Sequence, residues 1–218
     1  MVWRKMMGCA CAPAGRLLAA GLLLAALSWP AAAQDDVDSW RWADDGTSSP
    51  YAVAVFGGEG TERNFSETLS NPFANDTTSD RMLALAVTRE LAWYRNMLSF
   101  EVEAMYAYHF DRETYSEFGG AVYARWHDFP WNQYLLTTFA VGLGPSYTTI
   151  YPELETQDNP DNRSRWLNQL NLEATFALPR YPSTSLMLRL QHRSGVFGTF
   201  GGVWDASNFL VIGLRQHF

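Results

Sequence analysis

The segment Leu98-Ser-Phe-Glu-Val-Glu-Ala-Met-Tyr-Ala-Tyr108 alternates between two kinds of side chain along its whole length. Successive side chains of an extended strand point to opposite faces, so even-numbered and odd-numbered residues here face different surroundings. The even-numbered face is apolar and consists of Leu98, Phe100, Val102, Ala104, Tyr106 and Tyr108. The odd-numbered face carries Glu101 and Glu103. This pattern over about ten residues is typical of a strand that crosses a membrane in a β-barrel.

The same pattern recurs along the rest of the chain. After residue 33, no run reaches the ~20 apolar residues that a transmembrane helix needs. Candidate strands lie near residues 51–57, 82–94, 98–109, 115–127, 133–147, 166–178, 184–194 and 208–218. This even number predicts an all-β fold, an eight-stranded antiparallel transmembrane β-barrel of the outer-membrane type over residues 51–218.

The connections between these strands support the same fold. Long connections at 58–81, 148–165 and 195–207 alternate with short ones at 95–97, around Pro130 and at 179–182. Outer-membrane barrels have short turns on the periplasmic side and longer loops outside. We therefore expect the long connections to lie at one end of the barrel, facing the cell exterior.

The polar face of the strands distinguishes this barrel from a soluble one. It carries charged and amide side chains on several strands, namely Glu101, Glu103, Glu117, Arg125, Glu173, Arg189 and Gln191. A soluble barrel has an apolar interior, and eight strands leave room only for side chains. We expect a packed interior of paired charges rather than a conducting pore, because isolated buried charges are costly. Arg89 is the exception, since its position in the alternation places it on the apolar face.

The first residues have the features of a signal peptide. Arg4, Lys5 and Arg16 precede the apolar stretch 17–27, and Ala31-Ala-Ala33 forms a small-residue cleavage site. This pattern predicts removal of residues 1–33 on the way to the bacterial outer membrane. Residues 34–50 then form a periplasmic N-terminal segment, which is acidic and expected to lack a fixed structure.

Composition excludes several classes of function. The net charge of −7 and the absence of a basic run argue against nucleic-acid binding. The two cysteines, Cys9 and Cys11, both lie in the leader, so disulfides and thiolate metal sites are excluded from the mature chain. Aromatic residues make up 15% of the chain, as expected for the girdles at the two membrane interfaces.

The seventh candidate strand contains a pair of residues suited to ester hydrolysis. Counting in twos from Leu186 places His192 and Ser194 on the lipid-facing side, at the outer end of the strand. Residues two apart on one face of a strand lie side by side, roughly 6–7 Å apart at Cα. A histidine leaning toward the serine could therefore act as its general base. Alternatively, the two polar residues only mark where the strand leaves the hydrocarbon layer.

Residues 184–218, with His192-Arg193-Ser194 entering a loop and Asn208 opening the last strand, resemble the C-terminal end of the PagL family of lipid A 3-O-deacylases. The resemblance implies a serine hydrolase site facing the outer leaflet, with Ser194 as nucleophile, His192 as general base, lipid A as substrate and no metal or cofactor. In that family, a carboxylate early in the last strand orients the histidine. The resemblance therefore implies that Asn208, early in the last strand here, or Asp205, just before it, has this role. Gly195 stands where the family has an asparagine.

Other residue clusters indicate weaker alternatives. His109, Asp111 and Glu113 lack a fourth metal ligand and are expected to lie in a solvated turn. The acidic loop with Glu153, Glu155, Asp158 and Asp161 could bind divalent cations that bridge lipopolysaccharide, but a solvated loop is the simpler interpretation. The alternative function is a non-catalytic barrel with a structural, adhesive or lipopolysaccharide-binding role, followed by a solute channel.

Overall fold

The computed structural model describes residues 40–42, 49–72, 77–156 and 161–218. The predicted leader, residues 1–33, lies outside the described residues, as does most of the segment 34–50. The strands are β1 (Trp40–Trp42), β2 (Tyr51–Thr61), β3 (Thr77–Tyr94), β4 (Leu98–Asp111), β5 (Tyr115–Trp126), β6 (Leu136–Thr148), β7 (Trp166–Ala177), β8 (Thr184–Ser194) and β9 (Asp205–His217). The described residues also form two short helices, α1 (Phe65–Ser70) and α2 (Glu153–Thr156). No helix in the described ranges is long and apolar enough to cross a membrane.

Strands β2 to β9 form a closed antiparallel barrel. Each pairs with its neighbour along the chain, and β9 returns to pair with β2 from Ala52↔His217 to Thr61↔Asn208. The predicted eight-stranded barrel is therefore confirmed. The short strand β1 pairs with the end of β3, where Trp40 lies opposite Tyr94. The expectation that the whole segment 34–50 lacks a fixed structure is wrong for these three residues, because they extend the hydrogen-bonded ladder of β3.

The connections alternate between two ends of the barrel, and the three long ones share one end, as predicted, although the connection around Pro130 is longer than expected. The long-loop end carries connections 62–76, 112–114, 149–165 and 195–204, and the short-turn end carries 95–97, 127–135 and 178–183. Strands β2 and β3 extend further than expected, and helix α1 lies in the connection between them.

Strand β6 begins at Leu136, three residues later than predicted, because Asn132 holds the preceding turn. Its Nδ2 donates to the carbonyl oxygen of His127 at 2.6 Å, and its Oδ1 accepts from the backbone N–H of Thr137 at 2.9 Å. His127 itself lies beyond the end of β5, with its Nε2 2.8 Å from Ser99 Oγ. Burial and the nearby Arg125 guanidinium lower the pKa of His127 to about 3, so this ring is neutral at pH 7.

The two faces of the barrel wall differ as the alternation predicts. Large apolar side chains on the outer face remain about half exposed, for example Leu83 and Val122 at 56% each. The inner face combines small apolar residues such as Ala54, Ala84 and Ala107 with buried charged residues. An exposed apolar belt of this extent is the surface that a bilayer covers in a transmembrane barrel.

The interior charges form a network of ion pairs between strands. Arg125 bridges Glu101 and Glu173 at 2.7 Å each, and Arg189 bridges Glu173 at 2.6 Å and Glu103 at 2.7 Å. Arg215 adds a contact to Glu101 at 2.9 Å. Three arginines thus face three glutamates, so the charges of this network are balanced. The predicted positions of these glutamates and of Arg125 and Arg189 inside the barrel are confirmed.

Arg89 does lie on the outer face, as its position in the alternation indicates. It is exposed, and its guanidinium lies 5.7 Å from the centre of the Tyr51 ring. Tyr51 and Arg89 are register partners at the short-turn end of β2 and β3. A bulge in the pairing of β3 with β4 follows at Glu90–Ala92 and does not turn Arg89 inward. The arginine therefore extends along the outer surface near the membrane edge, where a long side chain can reach water.

Candidate active site

His192 and Asn208 are register partners on β8 and β9, close to the long-loop end of the barrel. Both side chains point outward. Gln191 and Arg193, which flank His192 on β8, are buried inside the barrel, and successive side chains of a strand alternate between its two faces. On the other side of β8, His192 lies opposite Leu170 of β7. The candidate histidine therefore projects from the outer wall, as the sequence predicts.

A chain of hydrogen bonds fixes the state of the His192 ring. Asn208 Nδ2 donates to the backbone carbonyl oxygen of Arg63 at 2.9 Å, so Asn208 Oδ1 must face the histidine. That oxygen lies 2.9 Å from His192 Nδ1. An amide oxygen can only accept, so Nδ1 carries the hydrogen and donates it. Nε2 of the neutral ring then has a free lone pair, which is the form required of a general base.

Helix α1 covers this pair from outside. Asn64 caps the helix by accepting from the backbone N–H of Glu67 at 2.9 Å, and Phe65 follows as the first helical residue. The Phe65 and His192 rings lie 4.6 Å apart between centroids. His192 is consequently only 7% exposed. The first long loop, rather than the strands alone, shields the histidine.

Ser194 lies two residues further along β8, on the same outer face and half-buried. It pairs with Asn168 of β7 and with Asp205 of β9. Within the part of the chain that the structure describes, no hydrogen bond joins the Ser194 hydroxyl to His192. The candidate nucleophile and the candidate base are thus neighbours on one surface, without a direct hydrogen bond between them. Such contacts are often long or absent in free enzymes and shorten when substrate binds.

A bulge brings Asp205 into this site. Arg193 pairs with Ser207, yet Ser194 pairs with Asp205, so Ala206 is the extra residue on β9. The strand therefore begins at Asp205, three residues earlier than predicted. Asp205 Oδ1 lies 3.6 Å from His192 Nδ1, further away than the Asn208 oxygen. Asn208 accepts the hydrogen bond of the ring, and Asp205 adds a nearby negative charge.

The loop after Ser194 has room only for glycine at its first position. A Cβ atom on Gly195 would lie 2.0 Å from the carbonyl oxygen of Val203, so a larger residue would force the loop apart. Val196 and Phe197 then adopt positive φ angles of 50° and 55°. Over the described residues, the backbone N–H groups of Val196 and Phe197 donate no hydrogen bond. Free N–H groups next to a serine are suitable donors to an oxyanion.

Two residues of this site were not predicted from the sequence: Arg63, whose carbonyl group orients Asn208, and Phe65, which covers His192. The cap at Asn64 with Glu67 three residues later is a readable signal for a helix start. Nothing in the local pattern indicates which strand that helix covers. A contact between residues so far apart in sequence depends on barrel closure.

The described residues of the remaining polar clusters do not form a metal site, and Asp158 of the acidic loop lies outside the described residues. Among the described residues, no group of three or more His, Cys, Asp or Glu side chains could hold a metal ion. The expectation that His109 lies in a solvated turn is wrong, because β4 extends to Asp111 and turns His109 inward, where Nε2 lies 2.9 Å from Glu117. Glu155 is likewise buried rather than solvated, because α2 packs over the mouth of the barrel.

The chain is similar to several solved structures in its fold. No family model matches the chain, and no curated protein matches it. The crystal structure of the outer membrane enzyme PagL is similar over 77% of this chain and 99% of its own, at 12% identity and a TM-score of 0.52. Neisserial surface protein A matches over 78% and 99% at 12% identity and a TM-score of 0.49. A de novo designed transmembrane β-barrel matches over 79% and 98% at 12% identity and a TM-score of 0.46. The chain has the fold of the outer-membrane β-barrels.

Proposed function

We propose that the protein is an outer-membrane lipid A acyl-ester hydrolase of the 3-O-deacylase kind, acting in the outer leaflet. The observation that supports this most directly is the His192–Asn208 hydrogen bond on the outer wall, two residues from Ser194. It fixes the hydrogen of the neutral ring on Nδ1, so that Nε2 can accept a proton, beside a serine at the end of a lipid-facing strand. The sequence resemblance to PagL-type enzymes over residues 184–218 agrees with the same assignment, and the leader-like residues 1–33 suit export to this membrane.

The proposed reaction proceeds in two steps. Ser194 Oγ attacks the ester carbonyl carbon while His192 Nε2 takes its proton, and the carbonyl oxygen becomes an oxyanion beside the Val196 and Phe197 N–H groups. The carbon–oxygen bond to the sugar then breaks, and the histidine returns the proton to the leaving sugar oxygen. In the second step, a water molecule attacks the acyl carbon while His192 takes its proton. The bond from this carbon to Ser194 Oγ then breaks, the histidine returns the proton to Oγ, and the fatty acid leaves. Only side chains and backbone of this chain are needed.

In this scheme Asn208 keeps Nδ1 protonated, whereas Asp205 stabilises the positive charge that the ring acquires. An asparagine orients the ring as a carboxylate does but carries no charge. The nearby Asp205 carboxylate supplies that charge from 3.6 Å. Asn208 and Asp205 would thus share the role that a single carboxylate has in PagL-type enzymes.

Lipid A of cells that express the protein tests this proposal. In a host whose lipid A carries the 3-O chain, we expect mass spectrometry to show loss of one ester-linked acyl chain with the wild type. Ser194→Ala should restore the full mass, because alanine cannot form the acyl-enzyme. Ser116→Ala is the matched control, since Ser116 also faces outward, on β5 near the long-loop end, and its loss should leave deacylation unchanged.

A non-catalytic lipopolysaccharide-binding barrel is the second candidate. The absence of a Ser194–His192 hydrogen bond among the described contacts and the covering of His192 by Phe65 favour it. Identical acylation patterns with the wild type and with Ser194→Ala, when both are present in the outer membrane in equal amount, would support this second function and reject the first.

A further inference from the structure

A buried carboxylate lies directly behind the candidate site, on the inner face of the barrel wall. Helix α2 in the loop between β6 and β7 carries Glu155 into the mouth of the barrel, where it is 5% exposed. Its Oε1 accepts a hydrogen bond from the Arg193 guanidinium and another from Ser207 Oγ at 2.9 Å. One carboxylate oxygen from a loop therefore contacts two neighbouring strands.

These two contacts lie next to the candidate residues along the chain. Arg193 lies between His192 and Ser194 on β8, and Ser207 precedes Asn208 on β9. Arg193 and Ser207 are themselves register partners, as are His192 and Asn208. Since alternate residues point to opposite faces, Glu155 links the two strands from inside at the position where His192 and Asn208 meet outside.

The strand pairing is irregular at this position. The bulge on β9 falls between the Arg193 and Ser194 pairs, so the regular ladder ends where the site begins. A bulge bends its strand and leaves the extra residue, Ala206, without a partner opposite. The pairs His192–Asn208 and Arg193–Ser207 are the last regular pairs before this bulge, so a side-chain link between Arg193 and Ser207 supports the end of the regular ladder.

Arg193 also has partners apart from Glu155. Its Nε lies 3.6 Å from Glu117, and its Nη2 donates to the carbonyl oxygen of Arg165 at 3.3 Å. The guanidinium is almost fully buried, at 1% exposure of the residue. Removing Glu155 therefore leaves Arg193 inside the barrel and close to Glu117 of β5, but ends the side-chain link between Arg193 and Ser207, which remain paired only through their backbones.

We infer that Glu155 is a positioning residue, which keeps His192, Ser194 and Asn208 in register by linking Arg193 to Ser207 from the inner face. The catalytic consequence of this inference rests on the proposed hydrolase function. Glu155 does not touch the reacting groups, because the barrel wall separates it from them. Its effect passes through the two strands.

The ring nitrogens of His192 give a readout that is independent of activity. In the refolded full-length mature chain labelled with ¹⁵N-histidine, the wild type should show the Nδ1–H tautomer for His192, because Nδ1 donates to Asn208. In Glu155→Ala, and more weakly in Glu155→Gln, we expect a mixture of tautomers. If the chain is a hydrolase, kcat should fall about 10- to 100-fold with KM nearly unchanged, as for a small displacement of catalytic groups.

Glu153→Gln is the matched control, because Glu153 belongs to the same short helix but is exposed and contacts Arg112 at the surface. It should leave the His192 signals and kcat at wild-type values. Unchanged His192 signals in both Glu155 variants would overturn the inference, whatever the activity. Altered signals in a chain whose wild type releases no fatty acid would support the positioning role and reject the hydrolase function.

Discussion

Replacement of Arg189 by methionine is expected to lower the free energy of unfolding by about 3–5 kcal/mol, the usual cost of breaking a buried ion pair by removing one partner. Arg189 is 2% exposed and contacts both Glu103 and Glu173. Methionine fills most of the space but leaves the two carboxylates with one positive charge fewer in a closed interior. Reversible urea unfolding in lipid vesicles would measure the change.

Two further variants test whether the loss of stability arises from the burial of the Arg189 ion pairs. Arg81→Met removes an arginine that pairs with Glu59 and Asp111 but is 53% exposed, so we expect a much smaller loss of stability than for Arg189→Met. Arg189→Met combined with Glu103→Gln removes one charge of each sign and should recover part of the lost stability. Equal effects of the Arg81 and Arg189 substitutions would contradict a charged, closed interior.

His192→Gln is expected to reduce kcat for acyl-ester hydrolysis by at least about 10³-fold, because glutamine cannot take the proton of Ser194. The affinity for lipid should change much less, since the ring is covered by Phe65 and has little free surface. Fatty-acid release from purified lipid A in detergent would give kcat and KM for both proteins.

His217→Gln serves as the control for this substitution. His217 is at the other end of β9 from Asn208 and forms no part of the proposed site. Its loss should leave kcat close to the wild-type value, because His217 lies far along β9 from the proposed site. Wild-type turnover in a correctly folded His192→Gln barrel would show that another group acts as base.

The barrel could be predicted from the sequence because its main signal is local. Along Leu98–Tyr108, each residue shows by its polarity which side of the wall it faces, and no distant contact is needed to interpret it. The same argument places six of the buried charged residues inside, namely Glu101, Glu103, Glu117, Glu173, Arg125 and Arg189. Strand ends were less well predicted, as at Leu136, because side-chain contacts such as those of Asn132 determine where a turn stops.

The candidate site could be predicted only in part. The outward direction of His192 follows from its spacing to Leu186, but the bulge at Ala206 has no signature in the sequence and decides where Asp205 lies. The roles of Arg63, Phe65 and Glu155 depend on loops that fold back onto β8 and β9. Such contacts join distant parts of the chain, and hydrophobic alternation contains no information about them.

Reaction of the purified, folded mature chain with a lipophilic fluorophosphonate tests most directly whether His192 activates Ser194. Intact-mass and peptide mass spectrometry should show one phosphonyl adduct per chain, on Ser194, in the wild type. The adduct should be absent from Ser194→Ala and strongly slowed in His192→Gln. An unmodified Ser194 in the folded wild type, or equal labelling of the wild type and His192→Gln, would contradict the account.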